Sequence, residues 1–88
     1  MDSNVIMEND RVRVSKILFK PKDKIPLHSH PDHVVYVIKG GEIKITASGK
    51  TDVPNLKTGQ AIFFKAQSHE VENTGKNDVG LLVVELKK

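Results

Sequence analysis

The stretch that decides the fold runs from His28 to Gly40 and has the sequence HSHPDHVVYVIKG. It begins with two histidines separated by Ser29 and continues into the segment His33–Lys39, which is almost continuously apolar and β-branched. In an extended strand, residues two positions apart point to the same face. His28 and His30 can therefore direct two imidazoles at one point, as a strand does when it chelates a metal, and histidine is the commonest metal ligand.

The remainder of the chain has the pattern of short apolar segments and turn-forming residues that is typical of an all-β protein. Apolar residues alternate or run in short blocks, and Gly, Pro, Asn and Asp separate these blocks at the spacing typical of sandwiches and barrels. Gly40-Gly41 predicts a two-residue hairpin, and Ser48-Gly49-Lys50 and Asn73–Asp78 predict further turns, with Asn73 as a turn-forming residue. The predicted strands are Arg11–Lys20, Ile25–His30, His33–Lys39, Glu42–Ala47, Thr51–Leu56, Ala61–Phe64, His69–Asn73 and Val79–Leu86.

Length and composition indicate one small globular domain that spans residues 1–88, with residues 1–10 as an N-terminal arm or strand. The chain has no cysteine, which excludes disulfides, thiolate nucleophiles and Cys-type zinc sites. Its apolar runs are far shorter than a membrane span, and the N-terminus lacks the layout of a signal peptide, so we expect a cytoplasmic protein. The net charge of +3 is spread over alternating strand residues instead of one basic patch, so we expect no nucleic-acid binding.

Two segments are apolar on both faces of the pleat. They are His33–Ile38 and Val79–Val84. A strand needs two apolar faces only if both are covered. One face can line the barrel core, and in a chain of this length a second subunit is the best cover for the other, because an exposed apolar sheet promotes aggregation. We therefore predict a homodimer.

Two longer motifs resemble those of the cupins, specifically the small single-domain type. The first, Pro21–Gly40, contains the H-x-H pair and a closing glycine. The second, Gly59–Asn73, contains a glycine, an apolar strand, a turn, His69 and an asparagine four residues later. The resemblance covers about residues 12–86 and implies an antiparallel β-barrel of the jelly-roll, or double-stranded β-helix, type.

The resemblance also implies a metal site, with departures from the usual ligand set. His28, His30 and His69 match three family ligands, whereas His33 stands where the family's metal-binding glutamate is expected, with one residue fewer after His30. A set of four histidines is neutral where the usual site carries one negative charge. His33 is therefore either a fourth ligand or a residue that orients the site, and Asp32 is an alternative oxygen ligand if its turn points inward. Lys22 and Gln67 replace usual glycines, and Lys65 replaces a usual proline.

Neutral imidazoles suit a divalent transition metal such as Fe, Ni, Cu, Zn, Co or Mn. Because such ligands leave the full charge on the ion, an anionic substrate such as an enolate, β-diketonate or carboxylate is favoured.

Three interpretations follow: a metal-dependent cupin enzyme of oxygenase-like or isomerase-like activity, a non-catalytic cupin that binds a small ligand or structural metal as a sensor or accessory protein, and a bare dimeric barrel with incidental histidines. The fold alone does not choose among them. Incidental clustering explains an isolated H-x-H well, but it does not explain His69 and the turns around both motifs.

Overall fold

The computed structural model describes residues 2–87, and these form eleven β-strands and no helix. Met1 and Lys88, the ends of the predicted domain, lie outside the described residues. The predicted all-β, antiparallel fold is confirmed. The strands are β1 (Asp2–Glu8), β2 (Val12–Phe19), β3 (Lys24–His30), β4 (His33–Lys39), β5 (Gly41–Glu42), β6 (Lys44–Ala47), β7 (Lys50–Asp52), β8 (Asn55–Leu56), β9 (Ala61–Phe64), β10 (Gln67–Glu72) and β11 (Val79–Leu86).

The strands form two main antiparallel sheets and one small one. The five-stranded sheet has the order β1-β2-β11-β4-β9, the four-stranded sheet has the order β3-β10-β6-β7, and β5 pairs with β8. The chain passes from the four-stranded to the five-stranded sheet between β3 and β4, at Pro31-Asp32. Proline suits that corner because it has no amide hydrogen to contribute to a ladder.

The hydrophobic core lies between the sheets, and most of its residues come from alternate positions of the central strands. In β4 and β11 the buried positions alternate with more exposed ones, as the pleat requires. The fully packed members come mainly from the five-stranded sheet, and Val71 on β10 supplies the opposite side. The buried apolar residues are Phe19, Val35, Val37, Ile43, Leu56, Val71, Val79, Leu81 and Val83.

Three local predictions were wrong. Gly40-Gly41 does not form a two-residue hairpin: neither glycine has a positive φ, and Gly41–Glu42 pairs with Asn55–Leu56. Glycine is required at position 40 for close approach instead, because a Cβ there would lie 2.2 Å from the Leu56 carbonyl oxygen. The predicted strand Thr51–Leu56 is two short strands with Val53-Pro54 between them. The predicted strand Glu42–Ala47 is likewise interrupted at Ile43, because Glu42 belongs to β5 and Lys44–Ala47 form β6.

Other local predictions were correct. The turn at Ser48-Gly49 joins β6 to β7, and both residues have positive φ, which matches the twist of a tight hairpin. Residues 2–8, predicted as an arm or a strand, form an exposed edge strand that pairs with β2. No helix among the described residues is long and apolar enough to cross a membrane. The cytoplasmic location and the expected absence of nucleic-acid binding stay predictions.

Asn73 is almost fully buried and holds the turn that follows β10, in agreement with its predicted role. Its Nδ2 donates to the carbonyl oxygens of Phe19 (3.2 Å) and Asn77 (2.9 Å), and its Oδ1 accepts from the Gly75 amide at 2.9 Å. The Asn73 carbonyl also accepts from the Lys22 amide at 2.9 Å. Asn73 thus ties the turn that follows β10 to the connection between β2 and β3.

Lys22, which replaces a glycine of the usual motif, has a φ of 73°. A side chain in this left-handed region costs about 1–2 kcal/mol, and glycine recovers part of this after its greater loss of backbone freedom on folding. We expect Lys22→Gly to raise the free energy of unfolding by about 0.5–1 kcal/mol, measured by urea denaturation. Lys57→Gly, at an exposed position without positive φ, is the control and should destabilise; equal losses in both variants would contradict the strain argument.

Candidate metal centre

The strands β3 and β10 bring the histidines of the two motifs together. These strands pair antiparallel, and His69 lies directly opposite His28 in the register. The register shifts between His69 and Val71, where β3 contains one extra residue, so that Ile25 and His28 both face inward although three positions separate them. The bulge thus lets β3 contribute to the core at one end and two imidazoles at the other.

The rings of His28, His30 and His69 form a compact triad. The centroid distances are 4.4 Å for His28–His30, 4.7 Å for His28–His69 and 5.1 Å for His30–His69. One nitrogen from each ring lies within 4.8 Å of the others. Nitrogens bound to one zinc ion at about 2.0–2.1 Å are at most about 4.2 Å apart, so a small inward adjustment is enough for the triad to hold a metal.

Hydrogen bonds fix the tautomers of the histidines from the first motif. The Nδ1 atoms of His28 and His33 lie 2.8 Å from the Pro26 carbonyl oxygen and 2.9 Å from the Pro31 carbonyl oxygen, respectively. A carbonyl oxygen only accepts, so each Nδ1 carries the hydrogen and donates it. The Nε2 lone pair of each ring is therefore free for a metal, the arrangement usual for histidine ligands.

His69 is the buried histidine that lacks such a partner. Its Nδ1 is buried and makes no hydrogen bond to any of residues 2–87. Burial, followed by the neighbouring charges of His28, His30 and His33, lowers the pKa of His69 to about 4. Burial is also the largest cause that lowers the pKa of His30, against the raising effect of its bond to Glu85. A neutral imidazole with an unsatisfied nitrogen beside two others fits a metal ligand, because only the neutral ring can coordinate.

His33 and Asp32 occupy different surroundings from the triad. His33 is 2% exposed, lies 4.9 Å from His30 and 6.3 Å from His69 between ring centroids, and stacks on Phe64 at 5.3 Å and 17°. It borders the triad without belonging to its tightest set. Asp32 is exposed, and its Oδ1 accepts from the Ala66 amide at 2.7 Å. Asp32 therefore fastens the corner between sheets, and the alternative of an inward oxygen ligand at this position was wrong.

Glu85 is a residue of the site that the sequence analysis missed. Only 7% exposed, it lies on β11 directly opposite His33. Its Oε2 accepts from His30 Nδ1 at 2.8 Å, and its Oε1 lies 3.0 Å from Arg13 Nε. The carboxylate thus orients His30 and leaves its Nε2 free. The available signal was a lone charge at an inward position of the apolar strand Val79–Leu86.

Replacement of the Glu85 carboxylate should weaken metal binding. In Glu85→Gln the amide oxygen can still accept a hydrogen bond from His30. The negative charge that makes this imidazole a stronger metal ligand is lost. We expect about a 10- to 100-fold loss of Zn²⁺ affinity, measured by competition with a chromophoric chelator. Glu70→Gln is the control, because Glu70 pairs with Lys24 at the surface. Wild-type affinity in Glu85→Gln would show that the carboxylate does not tune the site.

The triad opens into a cavity of about 530 Å³ between the sheets. Aliphatic and aromatic residues make up most of its wall, and the four histidines border it on one side. This volume falls within the range of small-molecule sites. The site therefore combines a set of metal-ligand nitrogens with room for a bound organic molecule beside them.

Comparison with known proteins agrees with this architecture. A crystal structure of a cupin domain from Bordetella pertussis Tohama I superimposes with a TM-score of 0.92 at 22% identity, over 99% of this chain and 93% of that one. A predicted oxalate decarboxylase from Thermotoga maritima gives 0.75 at 23% identity, over 98% and 79%. The DMSP lyase DddQ from Ruegeria pomeroyi DSS-3 gives 0.77 at 15% identity, over 99% and 46%. At these identities the likeness shows the fold alone.

The sequence comparisons assign the family. No curated protein sequence matches this chain at a significant level. The family model described as "Cupin domain" matches residues 15–85, which include both histidine motifs, the triad and Glu85. Because that match spans most of the chain and the structure has the corresponding all-β architecture, the chain belongs to the cupin domain family.

Proposed function

We propose that this protein is a metal-dependent cupin that binds a divalent transition metal through His28, His30 and His69 and acts on a small anionic organic molecule in the adjoining cavity. The observation that carries the proposal is the convergence of three imidazole nitrogens within 4.8 Å. The tautomers support it, because hydrogen bonds to Pro26 and Glu85 leave the Nε2 atoms of His28 and His30 free. His33 is a fourth ligand or orients the triad.

The chemistry would depend on the metal, which supplies Lewis-acid or redox activation when bound. Within the described part of the chain, the buried residues of the cavity wall offer imidazoles but no hydroxyl, amine or carboxylate. An apolar wall offers water few hydrogen-bond partners, which would strengthen electrostatic interactions within the site. Oxygenase-like and isomerase-like reactions fit this arrangement. Two structural neighbours, described as a predicted oxalate decarboxylase and a DMSP lyase, are consistent with an enzymatic role.

A non-catalytic role is the second candidate, and the same wall favours it. Apart from the histidines, the described residues of the buried wall provide no group to move a proton, so the cavity can equally hold a ligand without converting it. In this alternative the protein is a sensor or accessory protein that binds a small ligand or a structural metal.

Metal analysis combined with turnover assays tests the proposal. Protein purified without added metal should contain close to one equivalent of a transition metal, or should bind one equivalent of Co²⁺ with visible bands characteristic of nitrogen ligation. Each metal form is then incubated with enolate and carboxylate candidates while oxygen uptake and isomer formation are recorded. Turnover that disappears in His69→Ala supports the enzyme. Saturable ligand binding without turnover supports the alternative, and absence of metal binding refutes both metal-based roles.

We also propose that the protein is a homodimer that pairs through the outer face of the five-stranded sheet. Tyr36 is 45% exposed and Phe63 is 55% exposed on this face, and Leu82 lies across from Tyr36 in the register. Val34 and Phe63 are also cross-strand partners. These neighbours make a continuous apolar surface, which a second copy would cover.

Light scattering tests the dimer. The wild type should have twice the mass of the 9.8 kDa chain at micromolar concentration, and Tyr36→Lys should shift it to the monomer because an ammonium group would be desolvated at the interface. Leu27→Lys is the control, since Leu27 is 66% exposed on β3 in the other main sheet. A monomeric wild type would contradict the proposal.

A further inference from the structure

The cavity wall is apolar wherever it is buried, except for imidazoles. Nine of its described residues are buried, and the polar ones among them are His33 and His69. His28 and His30 complete the polar side and are themselves partly buried. The remaining buried wall residues are Phe19, Val35, Ile43, Leu56, Val71, Leu81 and Val83.

The charged and amide groups of the wall lie at its solvent edge. Asp52, Asn55 and Gln60 are all exposed, and Val53 between the first two is 53% exposed. No lysine or arginine is among the described residues that line the cavity. Arg13 pairs with the Glu85 carboxylate, with Nε 3.0 Å from Oε1, and is not among the residues that line the cavity.

These two features define which ligands the cavity can accept. In this cavity a compact dianion would lose its hydration, and the charge on its outer oxygens, which do not contact the bound metal, would find no cation to pair with among the described residues of the wall. A single anionic group can be satisfied by the metal, and an apolar body gains from leaving water against aliphatic side chains. We propose that the cavity takes a small molecule with one anionic metal-chelating group and an apolar body, and discriminates against compact polyanions. This inference rests on the proposed metal-binding function.

Paired chelators with the same head group test the preference for an apolar body. Co²⁺-loaded protein is titrated with acetohydroxamate and with benzohydroxamate while the Co²⁺ visible bands are followed, and each Kd is divided by the value for free Co²⁺ in the same buffer. The phenyl group buries several more carbons than the methyl group, so the normalised affinity should be at least about tenfold higher for benzohydroxamate. A ratio near one would overturn the proposal.

Oxalate tests the charge selectivity. It is a compact chelating dianion, and its normalised affinity should be the lowest of the three. Val53→Arg places a cation at the cavity edge at an already exposed position, and it should improve oxalate binding at least about fivefold without a similar gain for benzohydroxamate. Val5→Arg is a matched control, because Val5 is also 53% exposed but lies on β1 outside the cavity wall. Tight oxalate binding by the wild type, or equal effects of both arginines, would overturn the proposal.

A metal-free arm separates failure of this inference from failure of the metal site. N-phenyl-1-naphthylamine, a neutral fluorescent probe, should bind the metal-free protein saturably at one site, and Ile45→Phe, which fills part of the cavity, should weaken it at least about fivefold. If Co²⁺ does not bind but the probe does, the proposed function fails while the apolar character of the cavity stands. If Co²⁺ binds and neither the probe nor the phenyl group is favoured, the metal site stands and the present inference fails.

Discussion

Alanine at His28, His30 or His69 is expected to lower Zn²⁺ or Co²⁺ affinity by at least about 100-fold. Each change removes one of three converging nitrogens, and the remaining two cannot fill a set that needs three protein ligands. The measurement is a chelator competition at neutral pH, with circular dichroism to show that each variant keeps its β-structure. His28 and His30 share β3, and His69 comes from β10, so losses of similar size would show that both motifs form one site.

His33→Ala should lower the metal affinity less than the other three changes do, by about tenfold or less. His33 lies 6.3 Å from His69 between ring centroids and stacks on Phe64, so it borders the triad instead of completing it. Binding that survives in full without His69 would show that two unrelated segments have been joined into one site. Small and equal losses in all four variants would favour incidental histidines.

The position of Glu85 refines what a glutamate at residue 33 would do. His33 and Glu85 are cross-strand partners that both point inward, so His33→Glu alone places two carboxylates side by side, which is unfavourable without a metal. The double variant His33→Glu with Glu85→Gln keeps one carboxylate in the site and moves its negative charge from residue 85 to residue 33. We expect the single variant to lose stability when metal-free and regain it with Zn²⁺, and the double variant to be stable in both states with a changed metal preference. Unfolding curves with and without Zn²⁺ check this.

A divalent metal should raise the melting temperature of the protein by about 10–20 °C. A ligand present at about 100 times its Kd stabilises the native state by ~2.7 kcal/mol, and each kcal/mol shifts the melting temperature of a domain of this size by ~4–8 °C. Differential scanning fluorimetry at pH 7.5 with Zn²⁺, Co²⁺ and Ni²⁺ measures the effect. Mg²⁺ is the control, because it prefers oxygen ligands. Equal melting with and without transition metals would contradict the site.

The metal-free protein should lose stability between about pH 6.5 and pH 4. Burial lowers the pKa of His69 to about 4 in the folded state, whereas an unfolded histidine titrates near ~6.5. Below that value the unfolded chain binds a proton that the folded chain does not, so acid favours unfolding until the pH falls below the folded pKa. His30, whose pKa is lowered as well, acts in the same direction. The decrease in the free energy of unfolding that is due to His69 should be on the order of 1–3 kcal/mol over this range.

Urea denaturation at several pH values measures this loss. His69→Gln should flatten the dependence of the unfolding free energy on pH between 6.5 and 4.5, because glutamine does not titrate. The metal-induced stabilisation should also shrink as pH falls, since protons compete for the same nitrogens. An unchanged slope in His69→Gln would show that this histidine is not held neutral by the fold.

The strand order along the chain followed from the sequence in most places. Alternation and β-branching specify where Val12–Phe19, His33–Lys39 and Val79–Leu86 begin and end to within two residues. These signals are local, since each strand's own residues encode its pleat. The Gly40-Gly41 prediction failed because a glycine pair can serve either a tight turn or a close backbone contact. The Leu56 carbonyl, distant in sequence, decides that it is the latter.

The candidate site also has some features that the sequence predicted and others that only the structure revealed. His28 and His30 were paired by strand parity, and His69 was joined to them only by the resemblance to a family motif. The position of His33 beside Phe64, the outward Asp32 and the bond from His30 to Glu85 were not predictable, because each depends on which strands become neighbours. Glu85 is 55 residues from His30 along the chain.

By itself, the sequence determined the all-β fold class, the histidine pattern and the family, because each of these depends on residue spacing within individual segments of the chain. The tertiary structure alone decided which imidazoles meet, which carboxylate supports them and how apolar the adjoining cavity is. The physical reason is the pairing of β3 with β10, the crossing between sheets at Pro31-Asp32 and the pairing of β11 with β4. Together they place residues from distant segments within hydrogen-bond and ligand distance of each other. Such contacts depend on sheet order and register, and neither is encoded within one strand.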